Sequence, residues 1–593
     1  MARRILWLLV SCVMAVSLVV ASCGTTTVEE EEEEKEEVVI GEEEEEEEEE
    51  IEEEEMLPPE VPKYGGVNTT LGGDPVGFDP AYFLNFMLVP TAITNEGLLI
   101  ADWAKGPAGT GETDWNQGIS GRTDLLTGGL AESYEFPNEE TIIFHIRPGI
   151  NWWDKPPVNG REFTAEDAAW SLNREWNSPR SWLTIGNQPE DRPTSIKALD
   201  KYTLEMKVPA RAQGLQLILL ETARLFPPEL GDDIIPWEKM VGTGPYMITD
   251  YVVGSTITFE RNPNYWLTDP VGSGKGNQLP YLDGLRSLII DDRSTQQAAF
   301  RTGKLDIMYE VQTEDWELFM DQRPDLKYLQ GYVSLPTMIT GRVDKEELPF
   351  KDVRVRRAMN MAVNQEELLE DYYEGYGTLL GYLFLPTPAF QKMYVPLEEM
   401  PETVRELFEY KPDKAKQLLA EAGYPDGFRT KIICTPNEVD LVSVIREYLL
   451  GVGIDMEIQP LQNAVPIVKG RTHEEMCLAM TYPFVIWKMN NLRVESGSNP
   501  SFWDSPVTRE TYDTVVQNVG KDNEAIMKAL KDMAPHVLEN AWGIWLPAPN
   551  AFHMWQPWVQ NYHGESNVGS STIFHQERTY IWMDKQLKAS LGY

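Results

Sequence analysis

The chain has 593 residues, a quarter of them charged, with 95 acidic against 51 basic side chains and a formal net charge of −44. Such a balance argues against nucleic acid as a partner, because phosphate binding needs clustered Lys and Arg. Four cysteines (Cys12, Cys23, Cys434, Cys477) and six histidines are too scattered for a zinc or iron–sulfur centre, so no metal and no cofactor is expected.

From the N-terminus, Arg3 and Arg4 precede an apolar run over residues 5–20, and Ala21-Ser22 lead into Cys23-Gly24. A basic start, a short apolar middle and small residues at the end are the order of a secretory signal. Val20-Ala21-Ser22-Cys23 resembles the lipobox of bacterial lipoproteins. That resemblance implies a signal peptide over residues 1–22, a lipidated Cys23 as the first mature residue, and work outside the cytoplasm. The run is also near the lower length limit of a membrane span, which leaves an uncleaved anchor as the alternative. Between residues 29 and 55, 21 of 27 side chains are Glu. Like charges of this density repel and bury nothing, so residues 23–63 read as the lipidated Cys followed by a disordered tether. Forty extended residues reach at most about 130–140 Å.

The remaining body, about 530 residues, is too long for one simple core and predicts two or three lobes. The first 62 residues take 22 acidic and three basic side chains, so the body keeps 73 and 48 and is still acidic. Gly242-Thr243-Gly244-Pro245-Tyr246 reads as a turn into a strand, with residues 256–260 alternating as its hairpin partner. Asp352 starts a helix carrying Val355, Met359, Ala362 and Val363, and Asn364 to Glu367 is a capping-box restart. Lys411-Pro412-Asp413 opens another helix, with Ala415, Leu418, Leu419 and Ala422 inward and Gly423 as its stop. A strand at 430–434, a helix at 438–450 (Val439, Val442, Ile445, Leu449) and an alternating strand at 454–458 make a right-handed parallel unit. The class is α/β with mixed sheets. Cys434 and Cys477 lie in apolar strand-like runs that suit neighbouring strands. Two buried free thiols are expected there, although an oxidising location permits a disulfide.

Catalytic constellations are thin, and no enzyme is expected. His473-Glu474 lacks a second histidine four residues on, Gly272–Gly274 and its neighbours have the wrong spacing for a phosphate loop, and no Gly-x-Ser-x-Gly elbow occurs.

An ordered set of phrases does run through the body. It comprises Phe78-Asp79-Pro80, Asn95-Glu96-Gly97-Leu98, Gly129-Leu130-Ala131-Glu132, Phe163-Thr164-Ala165-Glu166-Asp167, Gly242–Tyr246, Arg261-Asn262-Pro263-Asn264-Tyr265-Trp266, Pro349-Phe350-Lys351-Asp352 and Ala420-Glu421-Ala422-Gly423-Tyr424. In this order the phrases resemble the extracellular solute-binding proteins of the peptide/nickel class of ABC importers, family 5. The resemblance implies a type II periplasmic-binding-protein fold. Lobe I would take residues 64–96 with 205–312 and 544–593, an inserted domain 97–204, and lobe II 313–543. It also implies capture of a small organic solute by hinge closure, delivery to an ABC permease, and a monomer. Most of the phrases read as scaffold.

In peptide-binding members of the family an Asp after one lobe II strand pairs with the peptide's ammonium group. Here the stretch reads Ala479-Met480-Thr481-Tyr482-Pro483-Phe484-Val485-Ile486-Trp487, with Phe484 at the Asp position. A buried ammonium without a counter-charge is costly, so an amino-end-bound peptide fits this stretch poorly. An aromatic pocket suits an oligosaccharide or similar solute. Thr481, Tyr482, Phe484 and Trp487 are candidate ligand contacts, with plain core packing as the equal alternative for the three aromatics. Trp182 from the inserted domain and Thr337 and Met338 on the hinge side complete the candidate set. A ligand-presenting receptor and an extracellular hydrolase are the alternative functions.

Overall fold

The computed structural model describes residues 61–82, 89–116, 121–185, 187–333, 336–480, 485–569 and 576–593. The signal, Cys23 and the Glu run lie outside the described residues. The chain starts with β1 (Val67–Gly72) and then leaves for a four-stranded antiparallel sheet of β2 (Ala131–Asn138), β3 (Thr141–Ile146), β4 (Ser195–Asp200) and β5 (Thr203–Lys207), in the order β2-β3-β5-β4. Helix α1 (Ala165–Asn177) covers this sheet, and the Phe163–Asp167 phrase is its capping box: Thr164 N–H donates to Asp167 Oδ2 at 2.8 Å. Helix α2 (Gln213–Thr222) follows and is buried along its whole length, as a helix apolar on most sides must be.

The chain then returns to β1. The expected hairpin forms from β6 (Tyr246–Val252) and β7 (Thr256–Arg261), followed by β8 (Gly284–Ile289), β9 (Ile307–Val311) and β10 (Lys327–Tyr332). A second sheet is built next from β11 (Thr337–Gly341), β12 (Phe428–Cys434), β13 (Ile454–Pro460), β14 (Met476–Met480) and β15 (Gly543–Trp545), ordered β13-β12-β14-β11-β15. Strand β16 (Ala548–Trp555) goes back to the first sheet, which then reads β10-β16-β9-β1-β8-β7-β6, with Gly377–Thr378 paired to β16 as its eighth strand. Because β10 hydrogen-bonds along its length to β16, the first sheet includes residues as far as Tyr332. Sequence pattern cannot tell which sheet a late strand joins; only the pairing decides it.

The parallel unit forms as expected. Strands β12 and β13 run parallel, joined by α5 (Val439–Gly451), which follows α3 (Val353–Ala362) and α4 (Pro412–Glu421) in the chain. Asp352 caps α3 by accepting from Arg354 N–H at 2.8 Å, and Gly423 ends the α4 region at φ +99°. The buried stripe of α5 is Leu441, Val442, Ile445 and Leu449, leaving Val439 half-buried at the helix start. Ile433 of β12 is registered with Cys477 of β14, and both cysteines are buried free thiols.

The quoted phrases are joints between elements. Asp79 is fully buried. Its carboxylate takes both Arg174 Nη atoms at 2.7 and 2.6 Å and the N–H groups of Ala81 and Ile235, tying α1 to the segment after β1. Glu96 accepts from Tyr265 O–H at 2.8 Å and Trp266 Nε1–H at 3.0 Å, so the Asn95–Leu98 and Arg261–Trp266 phrases meet. Gly242 passes so close to the Thr94 carbonyl that a Cβ would lie 1.8 Å from it.

Burial raises the carboxyl of Glu96 to about 7, and burial together with the Asp79 charge raises Glu175 to about 8. Both native acids hold a proton that the unfolded chain releases from about pH 4.5. Stability from these groups is therefore present at low pH and falls as pH rises toward 7–8, by on the order of several kcal/mol. Urea midpoints at pH 5 and 8 check this. Glu175→Gln is expected to flatten the difference, and an unchanged slope would assign the effect elsewhere.

Candidate ligand-binding cleft

The chain passes from β11 to Gly377–Thr378 and back to β12, and two short connections also link the eight-stranded and five-stranded sheets: residues 333–336 between β10 and β11, and residues 546–547 between β15 and β16. At the edge of the five-stranded sheet where these crossings lie, β14 ends at Met480 opposite Thr337, the first residue of β11. The parallel strands β12 and β14 point their carboxyl ends at the same edge, the usual ligand side of an α/β sheet.

A pocket opens there, with about 630 Å³ of free space counted out into the solvent. Leu478, Ala479, Met480, Pro500 and the short helix α6 (Ala464–Lys469) give it an apolar wall. Thr435, Glu438, Ser498 and Lys469 supply polar groups. Glu438 is occupied, since Thr435 N–H donates to its Oε2 at 2.6 Å. Burial lowers the Lys469 amine to about 8.

Helix α7 (Val485–Asn491) leaves the same edge. A Cβ on Gly121, from the segment preceding β2, would lie 3.8 Å from Val485 Cβ. One turn further, Lys488 is 2% exposed and donates to the Leu383 carbonyl. Its Nζ stands 5.1 Å from the Tyr382 ring centre and 5.8 Å from that of Phe384. Tyr382 stacks on Trp545 at 4.6 Å and meets Trp542 edge-on at 5.8 Å. Burial alone lowers the Lys488 amine to about 7.

A seam of contacts closes the other side, between helix α2 with its approach and helices α8 (Pro506–Asn518) and α9 (Asn523–Glu539). Arg211 bridges buried Asp191 at 2.8 Å and Asp513 at 2.7 Å, and Tyr512 O–H donates to Asp191 at 3.2 Å. Burial raises the Asp191 carboxyl, against the pull of Arg211 and Tyr512. Arg493 lies 4.0 Å over the Tyr512 ring, and Lys521 donates to the Ala210 carbonyl.

Of the residues expected at the site, Thr337 is half-buried at the sheet edge. Met338 is 1% exposed, its side chain packed in the core. Trp182 is half-buried in a short helix and packs against the core. Thr481, Tyr482 and Phe484 lie outside the described residues, and Trp487 is placed on α7 by its backbone. Sequence reasoning passed over Lys488, Lys469, Arg211 and Asp191. The one available signal was Lys488 as a lone charge in the run Phe484–Met489.

A Ser–His contact exists, with Ser505 Oγ 2.8 Å from His536 Nε2. Ser505 accepts from Val507 N–H as the cap of α8, so the pair fastens two helix ends. Among the described residues no group of three or more His, Cys, Asp and Glu is placed to hold a metal.

Residues 126–525 match the model of bacterial extracellular solute-binding proteins, family 5. The chain belongs to this family. Heme-binding protein A of Haemophilus influenzae is 28% identical over 340 residues, 53% of this chain and 57% of that protein, so the match spans little more than half of that relative. The dipeptide-binding protein of Escherichia coli is 23% identical over 65% of this chain and 74% of its own length. Among solved structures, DppA from Helicobacter pylori in complex with the peptide STSA superposes with a TM-score of 0.70 at 21% identity, over 88% of this chain and 99% of that one. NikZ from Campylobacter jejuni in complex with Ni(L-His) gives 0.65 at 16%, over 86% and 99%. These likenesses establish the periplasmic-binding-protein fold. As a member, this chain is a solute-binding protein of the extracellular family 5 type, and no described helix is long and apolar enough to cross a membrane.

Proposed function

We propose that this family 5 protein is the substrate-binding lipoprotein of an ABC importer. It is held at the outer face of a membrane by lipid on Cys23 and spaced from it by the Glu-rich tether. As a monomer it captures an oligopeptide, oligosaccharide or similar organic solute between lobe I with its inserted domain and lobe II, then passes it to a permease. The observation that carries this reading is the sheet edge beside the 333–336 and 546–547 connections, which holds an apolar pocket and two desolvated lysines. Closure selects a solute through its stronger interaction with the closed form. In this reading the Arg211–Asp513 seam is a closure contact. Thr337, Trp182, Thr481, Tyr482, Phe484 and Trp487 are the proposed solute contacts, and Met338 backs Thr337 from the core.

Native mass spectrometry of protein purified gently from its host tests the capture. A bound organic solute whose removal expands the protein in small-angle scattering is the expected result. Turnover of that solute would instead restore the hydrolase reading. Cys23→Ala is expected to move the protein from the membrane fraction to the soluble extracytoplasmic fraction, since acyl chains contribute about 0.8 kcal/mol per buried CH₂. Retention in the membrane would mean that residues 5–20 are an uncleaved anchor.

A further inference from the structure

A second cavity lies away from that sheet edge, with about 1100 Å³ of free space counted out into the solvent. Every residue that lines it precedes 271 except Tyr580, so the five-stranded sheet and its helices, residues 337–545, take no part. The antiparallel pair Leu99–Ala101 and Leu126–Gly128 forms one wall and leads into Asp102 and Trp103. Trp103 stacks parallel on Tyr580 at 4.6 Å, which gives the cavity an aromatic floor. Trp266 and Arg147 form another wall, the guanidinium 4.7 Å from the indole ring centre. The cavity therefore carries two opposite charges, and no ion pair joins them to each other or to any other described side chain. Arg147 is half-buried and its Nε donates to the Gly129 carbonyl at 3.3 Å, while its Nη groups have no described partner. Asp102 is half-buried too; its Oδ1 accepts from Ala104 N–H at 3.1 Å and its Oδ2 is left over. The backbone holds them apart. Asp102 N–H donates to the Leu125 carbonyl and Arg147 N–H to that of Leu130, each at 2.9 Å. Leu125 and Gly129 are four residues apart on a largely extended segment, at most about 13 Å. Burial, then the charges of Asp269, Glu96 and Asp102, push the Tyr580 hydroxyl up. The floor thus sits in a negative field, and Arg147 makes the other end positive.

We propose that this cavity is a second ligand site, outside the cleft, for a small zwitterion of about dipeptide length. Its carboxylate meets the Arg147 fork, its ammonium group meets Asp102, and its apolar body lies against Trp266 and the Tyr580 floor. Two parallel N–H groups of a guanidinium match the two oxygens of a carboxylate. An extended dipeptide is about 7 Å long, and a hydrogen bond at each end adds about 3 Å, which spans the distance between the two anchors. An anion or a cation alone leaves one of the two charges unmet. The site does not depend on solute capture between the lobes.

The test uses the purified protein and three probes: the dipeptide Leu-Phe, its N-acetyl form and its C-terminal amide. Calorimetry reads their binding to the wild type, to Arg147→Met and to Asp102→Asn. The wild type is expected to bind Leu-Phe, and each blocked form about tenfold more weakly or worse, the loss of one charged hydrogen bond. Arg147→Met should bind the peptide and its amide alike, because the end that reads the carboxylate is gone. Asp102→Asn, which keeps an acceptor for Ala104 N–H, should bind the peptide and its acetylated form alike. The two ends are read separately, so either variant suffices if the other fails to fold. Both charges are half-exposed, and affinity should therefore also fall as salt rises. Unchanged affinity and unchanged discrimination in both variants would place the peptide elsewhere and overturn the site. So would a blocked form that binds the wild type as tightly as Leu-Phe, or no binding of Leu-Phe at all.

Discussion

Arg174→Met is expected to destabilise the folded chain by about 3–5 kcal/mol, the usual cost of removing one partner from a buried ion pair. Asp79 has no exposure, and Arg174 meets it through two parallel hydrogen bonds of 2.7 and 2.6 Å. With the guanidinium gone, the carboxylate keeps the Ala81 and Ile235 N–H bonds but must either stay charged in a dry site or take up a proton. Glu175, already protonated beside Asp79, offers no relief. The loss should appear as a lower urea midpoint and be partly recovered by Asp79→Asn in the same chain, which removes the orphaned charge. A variant within 1 kcal/mol of the wild type would show that the pair contributes nothing net, as many exposed pairs do.

Gly214→Val should impair closure and weaken solute binding roughly 10- to 100-fold, from an overpacking cost of about 1–3 kcal/mol. The reason is geometric. Gly214 opens α2, and a Cβ there would lie 1.7 Å from the carbonyl oxygen of Val519, in the turn between α8 and α9. Backbone cannot yield as a side-chain tip can, so the seam carrying Arg211, Asp513 and Tyr512 must part. If the seam forms only on closure, the unliganded chain should keep its melting temperature, and small-angle scattering should show it failing to contract with bound solute. A fall in unliganded stability with normal contraction would make the seam a permanent joint instead. Affinity, melting temperature and scattering together separate the two.

Much of this protein was readable from local pattern. The Asn364 cap, which accepts from Glu367 N–H, the proline at the first turn of α4 and the Gly423 stop depend on neighbours within a few residues, and each formed where the pattern put it. So did the parallel unit β12-α5-β13, because alternation and helical spacing are properties of the chain itself. The ordered phrases were recognisable, although the reason for them was not. Glu96 and Trp266 stand 170 residues apart in sequence and 3.0 Å apart in space.

Less of the site was legible, since it is made almost wholly of such distant meetings. Lys488 looked like one charge in an apolar run until the 380–385 loop was placed over it. Nothing near Arg211 in sequence marks it, and it meets Asp513 because α8 brings that carboxylate to it. Composition and order alone determined the α/β class, the family and most elements. Folding in three dimensions decided that β10 belongs to the first sheet, that Met338 is core, and that Lys488 loses its water. Short-range rules act through covalent neighbours and so survive in the sequence. Burial, charge pairing and pocket shape are set by which distant surfaces exclude water together, and only the tertiary structure fixes that.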